Sequence, residues 1–287
     1  MWLLMIADYK RLQFFFSDFF IFCIYCCWLG YILTWNCLGV LQPVKEIAKA
    51  IQQYNMTSQR RIYLHTDAAQ AIGKIPVCVQ DLGVDYLTIV GHKFYGPRIG
   101  ALYIRGLSNG GSPLRPLILG GGQEKGYRAG TENTAMIAGL GRACELVTNN
   151  VLSYQSQLLE VRNHLESRLN ERFQSQIVYN GKSDNSERLP NTCNFSIIGD
   201  EFEGKKILKN CKRVVAGVGA ACHSAHSGGS SVLIASGVSR EMAMNAIRLS
   251  VGKDTTIEDV DSAVEDICNA VQIIAEQVNP SVLCLDK

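Results

Sequence analysis

Two hydrophobic periods organise most of this chain. Val44, Ile47, Ala48 and Ile51 recur at helical spacing, with Pro43 near the start, so Pro43 to Tyr54 predicts an amphipathic helix. Arg61 to His65 predicts a short strand, Val84 to Val90 a second and Ile99 to Arg105 a third. The second is mostly apolar, which suits a sheet covered on both faces. Gly106 to Gly122 is rich in turn residues. Asn133 to Asn149 predicts a helix, and Leu152 to Phe173 a longer one that links two domains. Thr192 to Ile198 reads as a strand and Glu201 to Asn210 as a helix. Val214 to Ser224 reads as a strand running into a loop. Arg240 to Asn245 follows as a helix, Ala246 to Val251 as a strand and Ile257 to Val278 as a terminal helix. Thr256 and Asp259 have capping-box spacing at its start, with Asp in place of the usual Glu. No internal repeat is visible.

This alternation of strand and helix predicts an α/β fold. Residues 43–148 read as the C-terminal part of a larger α/β domain, and residues 149–287 as a smaller C-terminal α+β domain. Residues 1–42 read differently. Phe19 to Leu41 carries no charged residue and is long enough to be a formal transmembrane candidate. It also suits a buried helix or strand of a globular domain, or a segment foreign to the fold. The break in composition after Gln42 favours the last, and membrane association is not the leading expectation.

Charge narrows the function classes. Lys and Arg number 28 against 26 Asp and Glu, a formal net charge of +2, so no basic excess points to nucleic acid. The 11 cysteines are odd in number. Cys23 and Cys26 form a C-x-x-C pair with no second pair to complete a zinc site, so no metal is expected. Scattered cysteines suit a reducing compartment, and the cytosol is the expected location.

The candidate chemistry sits at the ends of predicted strands. Gly91-His92-Lys93-Phe94-Tyr95-Gly96-Pro97 directly follows one. Open α/β sheets hold ligands at that edge, and lysine is the residue that forms a Schiff base with pyridoxal 5'-phosphate (PLP). Leu64-His65-Thr66-Asp67-Ala68-Ala69-Gln70 ends the neighbouring strand. Asp67 suits the acidic partner that a pyridinium nitrogen needs, and Gln70 a donor to the ring's phenolic oxygen. The plainer role for Asp67 is to cap a helix beginning near Ala68. Gly120 to Glu124 and Tyr127 to Asn133 combine glycines, the Thr131 hydroxyl and a helix start, which suits phosphate; an ordinary glycine-rich turn with an N-cap has the same pattern. Val218 to Ser224 sets Cys222 among small residues, accessible to a nucleophilic role, with His223 beside it. Arg248 offers a fork for a substrate carboxylate, or a surface ion pair.

Taken in this order, the motifs resemble the class V aminotransferase-like family of cysteine desulfurases and selenocysteine lyases, over roughly residues 43 to 275. The resemblance implies a partial large domain of PLP fold type I, followed by the small C-terminal domain. It implies a homodimer that eliminates sulfur or selenium from L-cysteine or L-selenocysteine and leaves L-alanine. Lys93 is then the lysine that carries PLP, with His92 beside the cofactor. Asp67 pairs the ring nitrogen and Gln70 contacts the ring oxygen. Thr131 is a phosphate ligand lent across the dimer, Cys222 receives the chalcogen, and Arg248 anchors the carboxylate. Val90 stands where desulfurases usually carry a phosphate-binding serine. Val90-Gly-His-Lys93, Leu189 to Phe195 and Ala220 to Ser224 look like the selenocysteine lyase branch, whose product would be selenide passed to an acceptor protein. The alternatives are a cysteine desulfurase supplying sulfur and a non-catalytic subunit.

The family's phosphate-cradling loop, stacking histidine and Asn-Asn-Glu motif find no counterpart before Pro43. No histidine occurs before His65. The expectation is an N-terminally truncated chain with impaired activity.

Overall fold

The computed structural model describes residues 20–23, 28–34, 38–107, 109–183, 186–218 and 230–278. Two compact units divide the chain: Met1–Thr34 with Gln42–Leu152, and Trp35–Leu41 with Ser153–Lys287.

The first unit contains β1 (Phe20–Cys23), β2 (Trp28–Ile32), α1 (Val44–Thr57), β3 (Tyr63–Asp67), the short α2 (Val79–Leu82), β4 (Tyr86–Val90) and β5 (Gly100–Ile104). The strands form one sheet in the order β1-β2-β3-β4-β5. β2, β3 and β4 run parallel, and each outer pair is antiparallel. β2 lies inside the segment expected to be foreign to the fold. An apolar run without alternation reads the same for a membrane span and for a buried parallel strand. Among the described residues no helix is long and apolar enough to cross a membrane.

β3 alternates, and this alternation builds the unit. Leu64 and Thr66 are buried, while Tyr63, His65 and Asp67 on the other face are partly exposed. Leu64 joins Val44 and Ala48 of α1, Val84 and Leu87 in one apolar cluster. Burying a side chain such as Leu64 contributes about 1.5–3 kcal/mol. The Asn55 side chain fastens the end of α1 to the entry of β3, accepting from the Ile62 N–H at 2.7 Å and donating to its carbonyl at 2.8 Å.

α3 (Thr134–Phe173) is a single 40-residue helix where two were expected. No Gly or Pro occurs between Arg142 and Phe173 to end it. The Asn150 side chain donates to the Leu146 carbonyl at 2.8 Å and stays with the helix.

In the second unit follow β6 (Ile177–Tyr179), β7 (Thr192–Ile197), α4 (Gly204–Asn210), α5 (Ser231–Ala235), α6 (Arg240–Met244), β8 (Ala246–Ser250) and α7 (Ile257–Val278). The sheet is antiparallel with β7 at its centre. Cys193, Phe195 and Ile197 of β7 face a core made by the C-terminal half of α3, Ile207 of α4 and one face of α7. Asn180 bridges Asn194 and Ser196 on the other face, each at 2.8 Å. The strand expected over Val214 to Ser224 is reduced, within the described residues, to an isolated bridge between Gly217 and Arg248. The Asp266 carboxylate takes the N–H groups of Lys212, Arg213 and Val214, so the first residue of the expected strand donates to a side chain rather than to a neighbouring strand.

α7 begins with the reciprocal bonds the sequence predicts. The Thr256 N–H donates to Asp259 Oδ2 at 3.0 Å, and the Asp259 N–H donates to Thr256 Oγ1 at 3.1 Å. Thr256→Ala is expected to destabilise the chain by about 1 kcal/mol, read as a lowered urea midpoint. An unchanged midpoint would show that this cap contributes nothing.

Candidate active site

β3 and β4 are parallel neighbours, so their carboxyl ends lie at the same edge of the sheet. Asp67 is the last residue of β3 and pairs in register with Thr88. Lys93 closes a 3-10 turn, Gly91–Lys93, that leaves the end of β4 at once.

Glycine is required at the head of that turn. A Cβ on Gly91 would stand 2.7 Å from the Pro97 carbonyl oxygen and 2.9 Å from that of Ile99. The Gly91 N–H donates to Ile99 at 2.8 Å, and its carbonyl receives the N–H groups of Phe94 and Gly96, each at 3.0 Å. Phe94 is fully buried beneath the turn. Tyr95 takes a left-handed φ of 69°, uncommon for a residue with a side chain and a mark of how tightly the loop is held. His92 and Lys93 are left exposed.

The Asp67 carboxylate accepts the Ala69 N–H at 2.8 Å. This bond closes a turn rather than capping a helix, because residues 69–74 form turns. Burial raises the Asp67 pKa, opposed by the Ala69 N–H and by the positive charge of Lys93. Gln70 lies half-buried in the same turn.

His65 shares the face of β3 that carries Asp67, two residues away. Its Nε2 is hydrogen-bonded to the Thr88 hydroxyl at 2.8 Å. Burial lowers its pKa to about 4, so the ring is neutral at neutral pH. Sequence reading assigned His65 no role, although period-two alternation already put it on the Asp67 face. It also missed Lys74, which is buried and donates from Nζ to the Lys93 carbonyl at 3.1 Å. Nothing in the local pattern distinguishes Lys74 from a solvated lysine.

Thr131 is exposed and lies ahead of α3. The helix is capped by Asn133, whose Oδ1 accepts the Met136 N–H at 3.3 Å. Arg248 belongs to the second unit, on β8 directly across from Asn194. Its backbone exchanges two hydrogen bonds with Gly217, at 2.6 and 3.3 Å. Cys222 and its neighbour His223 lie outside the described residues. Among the described residues no cluster of His, Cys, Asp and Glu is arranged to hold a metal ion.

Known proteins resemble the chain over most of its length. The chain is 51% identical over 248 residues to a selenocysteine lyase of Homo sapiens, covering 84% of this chain and 56% of that protein. It is 49% identical over 250 residues to a selenocysteine lyase of Rattus norvegicus, covering 85% and 58%. A cysteine desulfurase of Clostridium botulinum is 41% identical over 227 residues, covering 79% and 54%. The chain therefore spans little more than half the length of these relatives. Among solved structures, a NifS-like protein from Rickettsia africae superposes with a TM-score of 0.70 at 31% identity, covering 86% of this chain and 61% of that one. The family profile for aminotransferase class-V matches residues 28–263, so it takes in β2 as well as the strands that carry Asp67 and Lys93. With most of its length matched in this way, the chain belongs to the class-V aminotransferase family.

Proposed function

We propose that this chain carries the machinery of a PLP-dependent selenocysteine lyase, which transfers the selenium atom of L-selenocysteine to a cysteine thiol as a selenylsulfide and leaves L-alanine, a thiol reductant then releasing the selenium as selenide. The observation that carries the reading is the pair Asp67 and Lys93 at the ends of adjacent parallel strands. The side chains fit the cofactor. Lys93 offers an exposed primary amine, and its charge acts on the Asp67 carboxylate. A pyridine ring bearing an aldehyde needs an amine for the aldehyde and an acid for the ring nitrogen. PLP, when bound, supplies the electron sink for the elimination.

In this reading Lys93 holds the cofactor and moves the substrate's α-proton. Asp67 keeps the ring nitrogen protonated, with Gln70 and His92 beside the ring. Thr131 binds phosphate from the partner subunit of a homodimer. Arg248 orients the substrate carboxylate, and Cys222 takes up the departing chalcogen for an acceptor protein. A reducing compartment, the cytosol, suits the free cysteines among the described residues.

Selenium is favoured over sulfur because identity to the lyases reaches 51%, against 41% for the desulfurase. The purified chain, supplied with PLP, is expected to turn over L-selenocysteine at least about tenfold faster than L-cysteine, a discrimination of roughly 1.4 kcal/mol in transition-state binding. Equal rates, or a preference for cysteine, would make it a desulfurase. No turnover of either, with PLP bound, would leave the non-catalytic subunit.

A further inference from the structure

Lys74 is only 7% exposed. Among the described residues it pairs with no carboxylate, and its Nζ donates to the backbone carbonyl of Lys93. Burying an ammonium without a counter-charge is costly, and an apolar side chain of similar length would fill the space more cheaply. Burial, then the charge of Lys93, lowers its pKa to about 8. The Phe94 and Gly96 N–H groups both go to Gly91, which leaves the Lys93 carbonyl to Lys74. The preceding residue adds a steric contact, since a Cβ on Gly73 would come within 2.7 Å of Phe94 Cβ. The turn after Asp67 and the turn bearing Lys93 are thus pressed together at Gly73 and hydrogen-bonded at Lys74.

We propose that Lys74 is a positioning residue: its ammonium clasps the Lys93 carbonyl and so fixes the backbone from which the Lys93 amine projects. The proposal rests on reading Lys93 as the PLP lysine. Its test therefore has one arm that needs PLP and one that does not.

In the first arm the full chain is mixed with PLP and quenched with borohydride. The Lys93 amine condenses with the aldehyde and releases water. Hydride from borohydride and a solvent proton then reduce the C=N bond to a secondary amine, which peptide mass mapping locates. In the second arm, amide hydrogen exchange of Phe94 and Gly96 is followed in the chain without PLP. Lys74→Met is expected to form the Lys93 adduct about tenfold more slowly and to exchange those amides about tenfold faster, the factor expected for one lost hydrogen bond to a charged group. Lys74→Arg, which keeps the charge and the donor, is expected to restore both. The thermal midpoint of Lys74→Met should hold or rise, because an unpaired buried cation is gone. A merely structural lysine would lower it.

Wild-type exchange and adduct rates in Lys74→Met would overturn the proposal. If the wild-type chain itself forms no Lys93 adduct, the cofactor reading falls. Amide exchange then decides the clasp, with faster exchange supporting it and unchanged exchange ending it. Lys74→Leu, which also lacks a donor, provides the same comparison should Lys74→Met not fold.

Discussion

Lys93→Ala is expected to abolish the visible absorption that the wild-type chain develops with PLP. Turnover of L-selenocysteine should fall by roughly three orders of magnitude or more, the scale on which removing one member of a catalytic set acts. Lys93 is exposed, and the hydrogen bonds that shape its turn use backbone groups of Gly91, Phe94, Gly96 and Ile99. The bond from Lys74 goes to the Lys93 carbonyl, which alanine keeps. Truncating the side chain therefore removes the amine and leaves the turn, with a stability change within about 0.5 kcal/mol. Spectra of both proteins with added PLP, alongside their urea midpoints, make the measurement. A band lost at constant stability assigns the cofactor bond to Lys93. An equal band in both proteins would move that bond to another lysine. No band in either would mean that this chain does not hold PLP as described.

Asp67 and Lys93 stood out in the sequence because each lies at or just past the end of a strand whose pattern is strong. β4 is Tyr86–Val90 against an expected Val84 to Val90, and the motif begins where the strand stops. β3 runs two residues past the expected end at His65, which makes Asp67 its last residue. α7 has the expected bounds, since an apolar stripe and a capping box agree on them. What stayed illegible depends on partners distant in sequence. β6 has three residues, too few for alternation to register, and exists through its pairing with β7. The join of the two expected helices into α3 turns on the absence of a breaker, a weaker signal than the presence of one. β2 gave no period at all, because its uncharged run Trp28–Ile32 has no polar position to mark one face, a pattern a buried strand shares with a membrane span. Lys74 illustrates the limit for the site. Its burial comes from the contact of two turns, which no spacing within either turn announces.

The largest stability effect is expected at Glu166, in the second unit. Glu166 is 5% exposed on α3, and its carboxylate is surrounded by cations. Arg188 grips both oxygens, at 2.8 and 3.3 Å, and Lys182 reaches Oε2 at 2.9 Å. Arg162, itself 7% exposed, stands 3.9 Å away. Glu166→Gln keeps the shape and removes the only negative charge in these contacts, leaving two buried guanidinium groups uncompensated. Breaking a buried pair in this way costs roughly 3–5 kcal/mol. Lys182 is half exposed and adds little to that figure. The sign of the pH dependence follows from the direction of the shift. Burial pushes the Glu166 pKa up, but the bonds from Arg188 and Lys182 outweigh it and hold the carboxyl below its ordinary 4.5. A depressed carboxylate stabilises the folded chain above its unfolded pKa, and that stability is lost as pH falls through the folded value. The urea midpoint of Glu166→Gln should therefore lie well below wild type at neutral pH, and the gap should narrow only below about pH 4.5. A gap that stayed constant with pH would trace the loss to packing rather than charge, and the absence of any gap would mean that the two arginines are content without their counter-ion.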